Sequence, residues 1–576
     1  MIKDNFDISA SNGISKTDAP SLYECRQGVS VLYRERFLYS KYDPSKSILN
    51  IISNLTVNPG TLVLVMSPAL FLGYTELTQK LSDQCKIICF EFDKQLYDFS
   101  KNYIPQDSKD TKIYSEENIK EYIDFINTNH FRKVIRIDFS GGTIFNKEKY
   151  DNIFSVTQSV IDQFWKNRLT LIRFGRIFSK NIFKNLVHLA DSIPFKSLYK
   201  TVDKPILVLG AGESLDKTIQ TLKEKKQCGG QDTDSDKIFR DIFFILCVDA
   251  ALNPLLESNI IPDAVVAVEC QSIIEKAYIG KSVLSKVPLF SDLVSRSSIP
   301  EILGGPVSFF VSEYSNMTFL KTLSEKEILP PVIKPLGSVG LVASEIALRL
   351  RKNDDVKIFF SGLDFSFTAG ITHAKETPSH KRQLFKNHRL TSVYNIDSAF
   401  APGTSQITGK NERRMTTSKA LISYALLFTE QLSDIKNFFD AGVSGVSLNA
   451  KQMDLASAIK DFALIDRNTD SLFKERLSLK NSDELKNKIL TYIKEEKEEL
   501  TKLIDLLSLG DKSRYRNAEI TLDTQLDLII TGRDYLYIHF ADAQKNTNRQ
   551  SFLNRIKIES NIFLKQLKTA QDMMEK

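Results

Sequence analysis

Ile206-Leu-Val-Leu-Gly210-Ala-Gly212-Glu-Ser214-Leu215 is the stretch whose reading decides the fold class. Its apolar run reads as a strand buried on both faces, as in a parallel sheet covered by helices. Gly210 and Gly212 end the run and allow close backbone approach, while Ser214 stands where a helix cap is needed. A strand, a small-residue turn and a helix start leave free N–H groups facing a potential anion. As a dinucleotide fingerprint it is incomplete, because Leu215 holds the third glycine position. Two readings stay open here: a phosphate or nucleotide site, and a purely structural turn.

Working outward, Asp241–Val248, Ala264–Glu269, Val287–Phe290, Val307–Val311 and Val356–Phe360 are further strand-like runs. Helices starting at Ser214 and near Ser338 fit between them, so the central region reads as a doubly wound, mainly parallel sheet. A polar insert, Lys226–Lys237, interrupts the first crossover. Upstream, Thr61–Met66, Lys86–Asp93 and Lys133–Phe139 mark an N-terminal α/β region of Rossmann-like type, closed by a helix over Ser179–Ala190. Downstream the period changes to that of an amphipathic helix: Leu485, Ile489, Ile493, Leu500, Leu503 and Leu507 share a face. Asn481 with Glu484 resembles a capping box, Gly510 is the expected stop, and Ile520–Ile530 and Phe552–Leu567 suggest more helices. The expectation is an α/β protein with an N-terminal α/β domain (1–195), a central domain (196–475) and a C-terminal helical domain (476–576).

Bulk properties narrow the function classes. The 576 residues are too many for one core. A net charge of +6, from 77 basic and 71 acidic residues, is no nucleic-acid footprint. None of the six cysteines forms a CxxC pair, and Cys89, Cys247 and Cys270 lie in or beside apolar runs, as buried thiols do in a reducing compartment. The start, MIKDNFDISASNG, has no signal-peptide core, and no apolar run approaches the roughly 20 residues that span a bilayer. A cytoplasmic protein without membrane or nucleic-acid partners is expected.

Several other residues could carry chemistry. Gly337-Ser338-Val-Gly340 is a second small-residue turn opening a helix, Leu341–Leu350. The strand Lys357-Ile-Phe-Phe-Ser361 then ends in Gly362-Leu-Asp364-Phe365. A carboxylate directly after a parallel strand lies at the edge where open α/β sheets bind ligands, so Asp364 is either a nucleotide contact or the cap of the next turn. Of six histidines, His373, His380 and His388 fall within 16 residues, among Lys375, Lys381, Arg382, Lys386 and Arg389. A basic, histidine-bearing loop suits a general base beside a charged donor, or is simply solvated. Its spacings of seven and eight match no common zinc pattern. Asp232-Thr-Asp234-Ser-Asp236 mimics a metal-binding Asp-x-Asp but lies in the polar insert, so no metal is assigned.

Together these segments resemble the motility accessory factor proteins, a flagellin-modifying family sharing its central domain with archaeal pterin pyrophosphokinase-like proteins. The N-terminal pieces are Tyr42-Asp43-Pro44, Phe71-Leu-Gly73-Tyr74, Trp165 and Asn181-Ile-Phe-Lys-Asn185-Leu186. The central pieces are the Gly210–Leu215 turn, Val248-Asp249-Ala250-Ala251-Leu252, Ile260-Ile261-Pro262-Asp263, Gly337-Ser338-Val339, Gly362-Leu-Asp364, Thr372-His373-Ala374 and Phe439-Asp440-Ala441-Gly442. The central pattern is also similar to metal-independent sialyltransferases that use CMP-sialic acid.

The resemblance implies a CMP site lined by Gly210, Gly212, Ser214, Gly337, Ser338, Gly362 and Asp364, with Asp249 nearby. It implies a histidine base, His373 first and His380 second. It further implies transfer of a nonulosonic acid from CMP to flagellin Ser or Thr, with no cofactor beyond that donor. Three positions depart from the pattern. Glu213 replaces a usual proline and adds negative charge beside the proposed phosphate site. Glu269 replaces a usual aspartate. Ser366 stands where a tyrosine helps the phosphate leave, a role that Lys375 or another cation of the 375–389 loop would take over. The glycine turn of the N-terminal domain keeps only Gly73, so no cofactor is assigned there. Competing readings are a 6-hydroxymethylpterin pyrophosphokinase-like enzyme and a non-catalytic flagellin chaperone or scaffold. The oligomeric state is left open.

Overall fold

Apolar β-forming runs become parallel strands in both halves of the chain. The computed structural model describes residues 19–105, 111–227, 242–280, 286–312, 317–334, 336–390, 401–463, 471–509, 522–541 and 549–575. These form two compact units, Met1–Thr170 and Leu171–Lys576. The division lies within the 44-residue helix Lys147–Ala190, and residues 476–576 fall in the second unit. Asp232, Asp234, Asp236 and Gly510 lie outside the described residues.

The first unit opens with a three-stranded antiparallel sheet, β1 (Ser21–Cys25), β2 (Gly28–Tyr33) and β3 (Arg36–Phe37). Its main sheet contains β4 (Thr61–Met66), β5 (Lys86–Phe90), β6 (Ile113–Tyr114) and β7 (Lys133–Asp138), all parallel, in the order β6-β5-β4-β7. Because β4 is covered on both faces, Leu62, Leu64 and Met66 pack with Tyr122 and Tyr150, while Val63 and Val65 pack with Ile48 and Leu77. The order reverses between β4 and β7, the place where such sheets usually open a ligand crevice. Here Ser140 Oγ, after β7, donates to Ser67 Oγ, after β4, at 3.1 Å. Buried Glu91 accepts from Ser67 Oγ at 2.7 Å, Tyr150 Oη at 2.7 Å and Asp93 N at 3.1 Å. Tyr33 Oη of β2 donates to Asp93, and Tyr39 Oη, just past β3, to Pro68 O.

The second unit is built on nine parallel strands. They are β8 (Ile206–Leu209), β9 (Phe244–Val248), β10 (Ala264–Ala267), β11 (Leu289–Asp292), β12 (Val307–Ser312), β13 (Val332–Ile333), β14 (Ile358–Ser361), β17 (Phe438–Asp440) and β18 (Lys451–Gln452). A hairpin of β15 (Thr404–Thr408) and β16 (Arg414–Ser418) is inserted after β14. The sheet order is β13-β12-β11-β10-β9-β8-β14-β17-β18. From β8 the chain winds outward to β13, then returns through the helix Val339–Leu350 to place β14 on the other side of β8. The winding therefore reverses between β8 and β14.

Helices Asp483–Leu509 and Arg549–Glu575 share one apolar cluster with Phe178, Phe183 and Leu186 and with Phe309 and Val311 of β12. Ser482, not Asn481, caps the first of them, its Oγ accepting from Leu485 N at 3.2 Å. Asn481 is diverted, its amide donating to Leu189 O and Ser192 Oγ. No helix among the described residues is long and apolar enough to cross a membrane.

Candidate functional site

The carboxyl ends of β8 and β14 meet where the winding reverses. Gly212 N donates to Gly362 O at 2.9 Å and Gly210 N to Ser361 O at 2.8 Å, so the two strand-end turns run against each other. A Cβ on Gly210 would strike Gly362 O, and one on Gly362, whose φ is +74°, would strike Gly210 O. A Cβ on Gly212 would lie 2.6 Å from Asp364 Oδ2. These glycines are thus demanded by backbone crossing and close packing, independently of any ligand.

Asp364 reaches across the same junction. Its Oδ2 accepts from Ser214 N at 2.7 Å and its Oδ1 from Ser214 Oγ at 2.6 Å, so it caps the helix Ser214–Gln227 from another strand. Ser214 Oγ also accepts from Ser444 N at 3.0 Å. Burial raises the Asp364 pKa to about 6, against the Ser214 bonds and the Lys410 charge, which lower it. Ser366, buried, donates to Asp364 O at 3.2 Å. Ser214, Asp364 and Ser366 are therefore engaged with one another and fix the shape of the junction.

The charge of Glu213 is compensated by a neighbouring cation. Its carboxylate pairs with Arg413 Nη1 at 2.9 Å and accepts from Thr368 Oγ1 at 2.7 Å. A second pair lies deeper: Lys410 Nζ meets Asp440 at 2.6 Å, both buried, and also donates to Gly442 O. Burial raises Asp440 above the usual carboxylate range, with Lys410 opposing. Neither Arg413 nor Lys410 was anticipated. Both sit beside the β15–β16 hairpin, and nothing in their sequence surroundings points to the strand ends.

The histidine loop is pinned onto the glycine turn. Ala374 N donates to Ala211 O at 3.0 Å and Lys375 N to Asp216 Oδ1 at 3.0 Å. His373, between them and Thr372, is open to solvent, its Nδ1 3.2 Å from Thr372 Oγ1. Crowding by the surrounding protein nevertheless lowers its pKa below the ordinary imidazole value. His380 lies further on, in the helix Pro378–Lys386, its Nδ1 accepting from Glu376 N at 3.1 Å. Lys381 of that helix is drawn to Glu257 and Glu376.

The second small-residue turn joins the same place. Gly337, with φ +69°, packs against Tyr424, and Ser338 precedes the helix Val339–Leu350 without making a side-chain cap. Gly340 in its first turn lies against the Leu363 side chain, which also packs on Gly210. Asp249, at the end of β9, is buried. Its Oδ1 accepts from Ala250 N at 2.7 Å, its Oδ2 has no partner among the described residues, and burial raises its pKa to about 7. Glu269, two residues past β10, accepts from Gln271 N. Exposed around the junction are Gly337, His373 and Lys375, with Ser338, Ala211 and Gly212 half-buried. Among the described residues no cluster of three or more His, Cys, Asp or Glu side chains is arranged to hold a metal ion.

Comparison with known proteins bears on the same segment. A family model described as 6-hydroxymethylpterin diphosphokinase MptE-like matches residues 179–370. An uncharacterized protein of Treponema pallidum (strain Nichols) is 28% identical over 587 residues, covering 97% of each chain. Among solved structures, the Maf glycosyltransferase from Magnetospirillum magneticum AMB-1 aligns with a TM-score of 0.49 and 12% identity, covering 96% of this chain and 92% of that one. The family match spans β8 to β14, the two strands whose ends form the junction.

Proposed function

We propose that this chain is a glycosyltransferase that moves a nonulosonic acid from its CMP ester to a Ser or Thr hydroxyl of flagellin, in the cytoplasm and with inversion. The observation that carries the reading is the pinning of the His373 loop onto the β8 turn through Ala374 N and Ala211 O. It holds the histidine-bearing loop against the strand-end turn at the winding reversal of an open parallel sheet, where such sheets bind ligands.

In this reading the bond between the anomeric carbon and the CMP phosphate oxygen breaks, and its electron pair leaves with the phosphate. The N–H groups of the turn at Ser338, with Lys375, stabilise the charge that develops there, while those of Gly210, Gly212 and Ser214 are taken by Ser361 O, Gly362 O and Asp364. The acceptor hydroxyl oxygen bonds to the opposite face of the anomeric carbon, and its proton passes to His373. A lowered pKa keeps that imidazole neutral near pH 7, as a base must be. Ser214 and Asp364 hold the turn in shape, and Asp249 lies one strand further along the same edge.

His373→Ala should keep CMP binding while transfer to flagellin, read by intact mass, falls about 10²–10⁴-fold. Transfer near the wild-type rate would remove His373 as the base. The family match favours a second reading, an ATP-dependent pterin pyrophosphokinase. Thermal shifts separate the two: stabilisation by CMP without metal supports transfer, and stabilisation only by ATP with magnesium supports the kinase.

A further inference from the structure

Within the second unit, away from the β8–β14 junction, a cavity of about 430 Å³ opens between the helices Lys147–Ala190 and Arg549–Glu575 and the loop after β11. That volume is in the range of small-molecule sites. Its wall carries Lys180, Lys184, Arg296 and Lys565, with Glu301 as the sole carboxylate among the described residues. Arg296 is already paired with Glu275 at 2.7 Å. Three lysines against Glu301 leave an excess of two positive charges. Lys180 and Lys184 are spaced four apart and so share one helix face, where like charges repel. Burial, and then the neighbouring Arg176, hold Lys180 below the ordinary lysine value. The rest of the lining includes apolar Val187, Ile562 and Met573.

The wall is also built into the sheet edge. Asn181 donates to Cys270 O and Val294 O, and Asn185 to Leu293 O and Ser295 O, with amide nitrogens 2.9 to 3.2 Å from these carbonyls. These are the loops that follow β10 and β11. The lysine-bearing helix is thereby fastened to the carboxyl edge that carries the candidate site.

We propose that this cavity binds a small phosphate monoester with an apolar body, its dianion neutralised by Lys180, Lys184 and Lys565. The inference does not depend on the glycosyltransferase reading. The test is calorimetric titration of the full chain with phenyl phosphate and with inorganic phosphate. Saturable binding is expected, tighter for phenyl phosphate, and at least tenfold weaker in the variant carrying Lys180→Gln, Lys184→Gln and Lys565→Gln. The variant's melting temperature without ligand should equal or exceed that of wild type, since repulsion is relieved. Ser214→Ala, at the other site, should leave phenyl phosphate binding unchanged. Binding kept by the triple variant, binding lost on Ser214→Ala, or no saturable binding in wild type would each overturn the proposal.

Discussion

Lys410 and Asp440 form a salt bridge that water hardly reaches, 8% and 3% exposed. Removing one partner from such a pair usually costs about 3–5 kcal/mol, because the other charge stays buried without compensation. Lys410→Met should lower the unfolding free energy of the second unit by about that much in chemical denaturation near neutral pH. The deficit should shrink as the pH falls, since Asp440, whose pKa burial already raises, is then neutral and leaves no stranded charge. A loss under about 0.5 kcal/mol would mean that the pair contributes nothing beyond a surface bridge. The Glu213–Arg413 pair lies nearer solvent, with Arg413 half exposed, and a much smaller effect is expected there.

At the scale of elements, the buried Glu91 that follows β5 of the first unit makes a pH prediction. Burial raises the Glu91 pKa to about 7 from an ordinary value of 4.5, so the folded state prefers the neutral acid. Stability from this source is complete below the ordinary carboxyl range and is lost as the pH rises through 7. Glu91→Gln stays neutral, so wild type should lose roughly 3 kcal/mol relative to it between pH 4.5 and 8. Trp165, the single tryptophan, packs in the first unit with its Nε1 donating to Phe131 O, so its fluorescence follows this unfolding. Equal pH slopes for the two proteins would overturn the assignment.

The strands around Glu91 and around Asp364 were legible in sequence because both their faces are buried and nearly every residue in them is apolar, as in TLVLVM and IFFS. The strands Ser21–Cys25 and Thr404–Thr408 were not, because they stay largely exposed and lack an apolar run. Of the helix Lys147–Ala190 only the end over Ser179–Ala190 was readable, for upstream its apolar residues are interspersed with many polar and charged ones. The glycine turns, Asp364 and the His373 loop could be picked out as a set. That Asp364 and Ser214 would bond to each other is set by strand order, which the local sequence does not state.

For the molecule as a whole, the C-terminal helices are not an appendage to the nine-stranded sheet. Ile489, Ile493, Leu500, Ile556, Phe563 and Leu567 bury against Phe183 and Phe309 in a single cluster. A chain ending at residue 475 would expose this cluster to water, at about 25 cal/mol per Å² of apolar surface. It should lose the cooperative melt of the second unit by circular dichroism while Trp165 fluorescence still reports a folded first unit. A truncated chain that melts as wild type does would show the helices to be dispensable. The same interlocking explains why amphipathic periodicity alone suggested a separate helical domain: the pattern reveals that an apolar face is covered, and is silent about what covers it.

The paired glycines at 210 and 362 carry a further consequence for variation. Each is hemmed in by the other's carbonyl, so shrinking a neighbouring side chain cannot make room for a methyl group at either place. In a saturation library selected for soluble protein, both codons should return glycine alone, and no suppressor elsewhere in the gene should rescue alanine at one of them. Alanine recovered at either codon would mean that the two main chains can part.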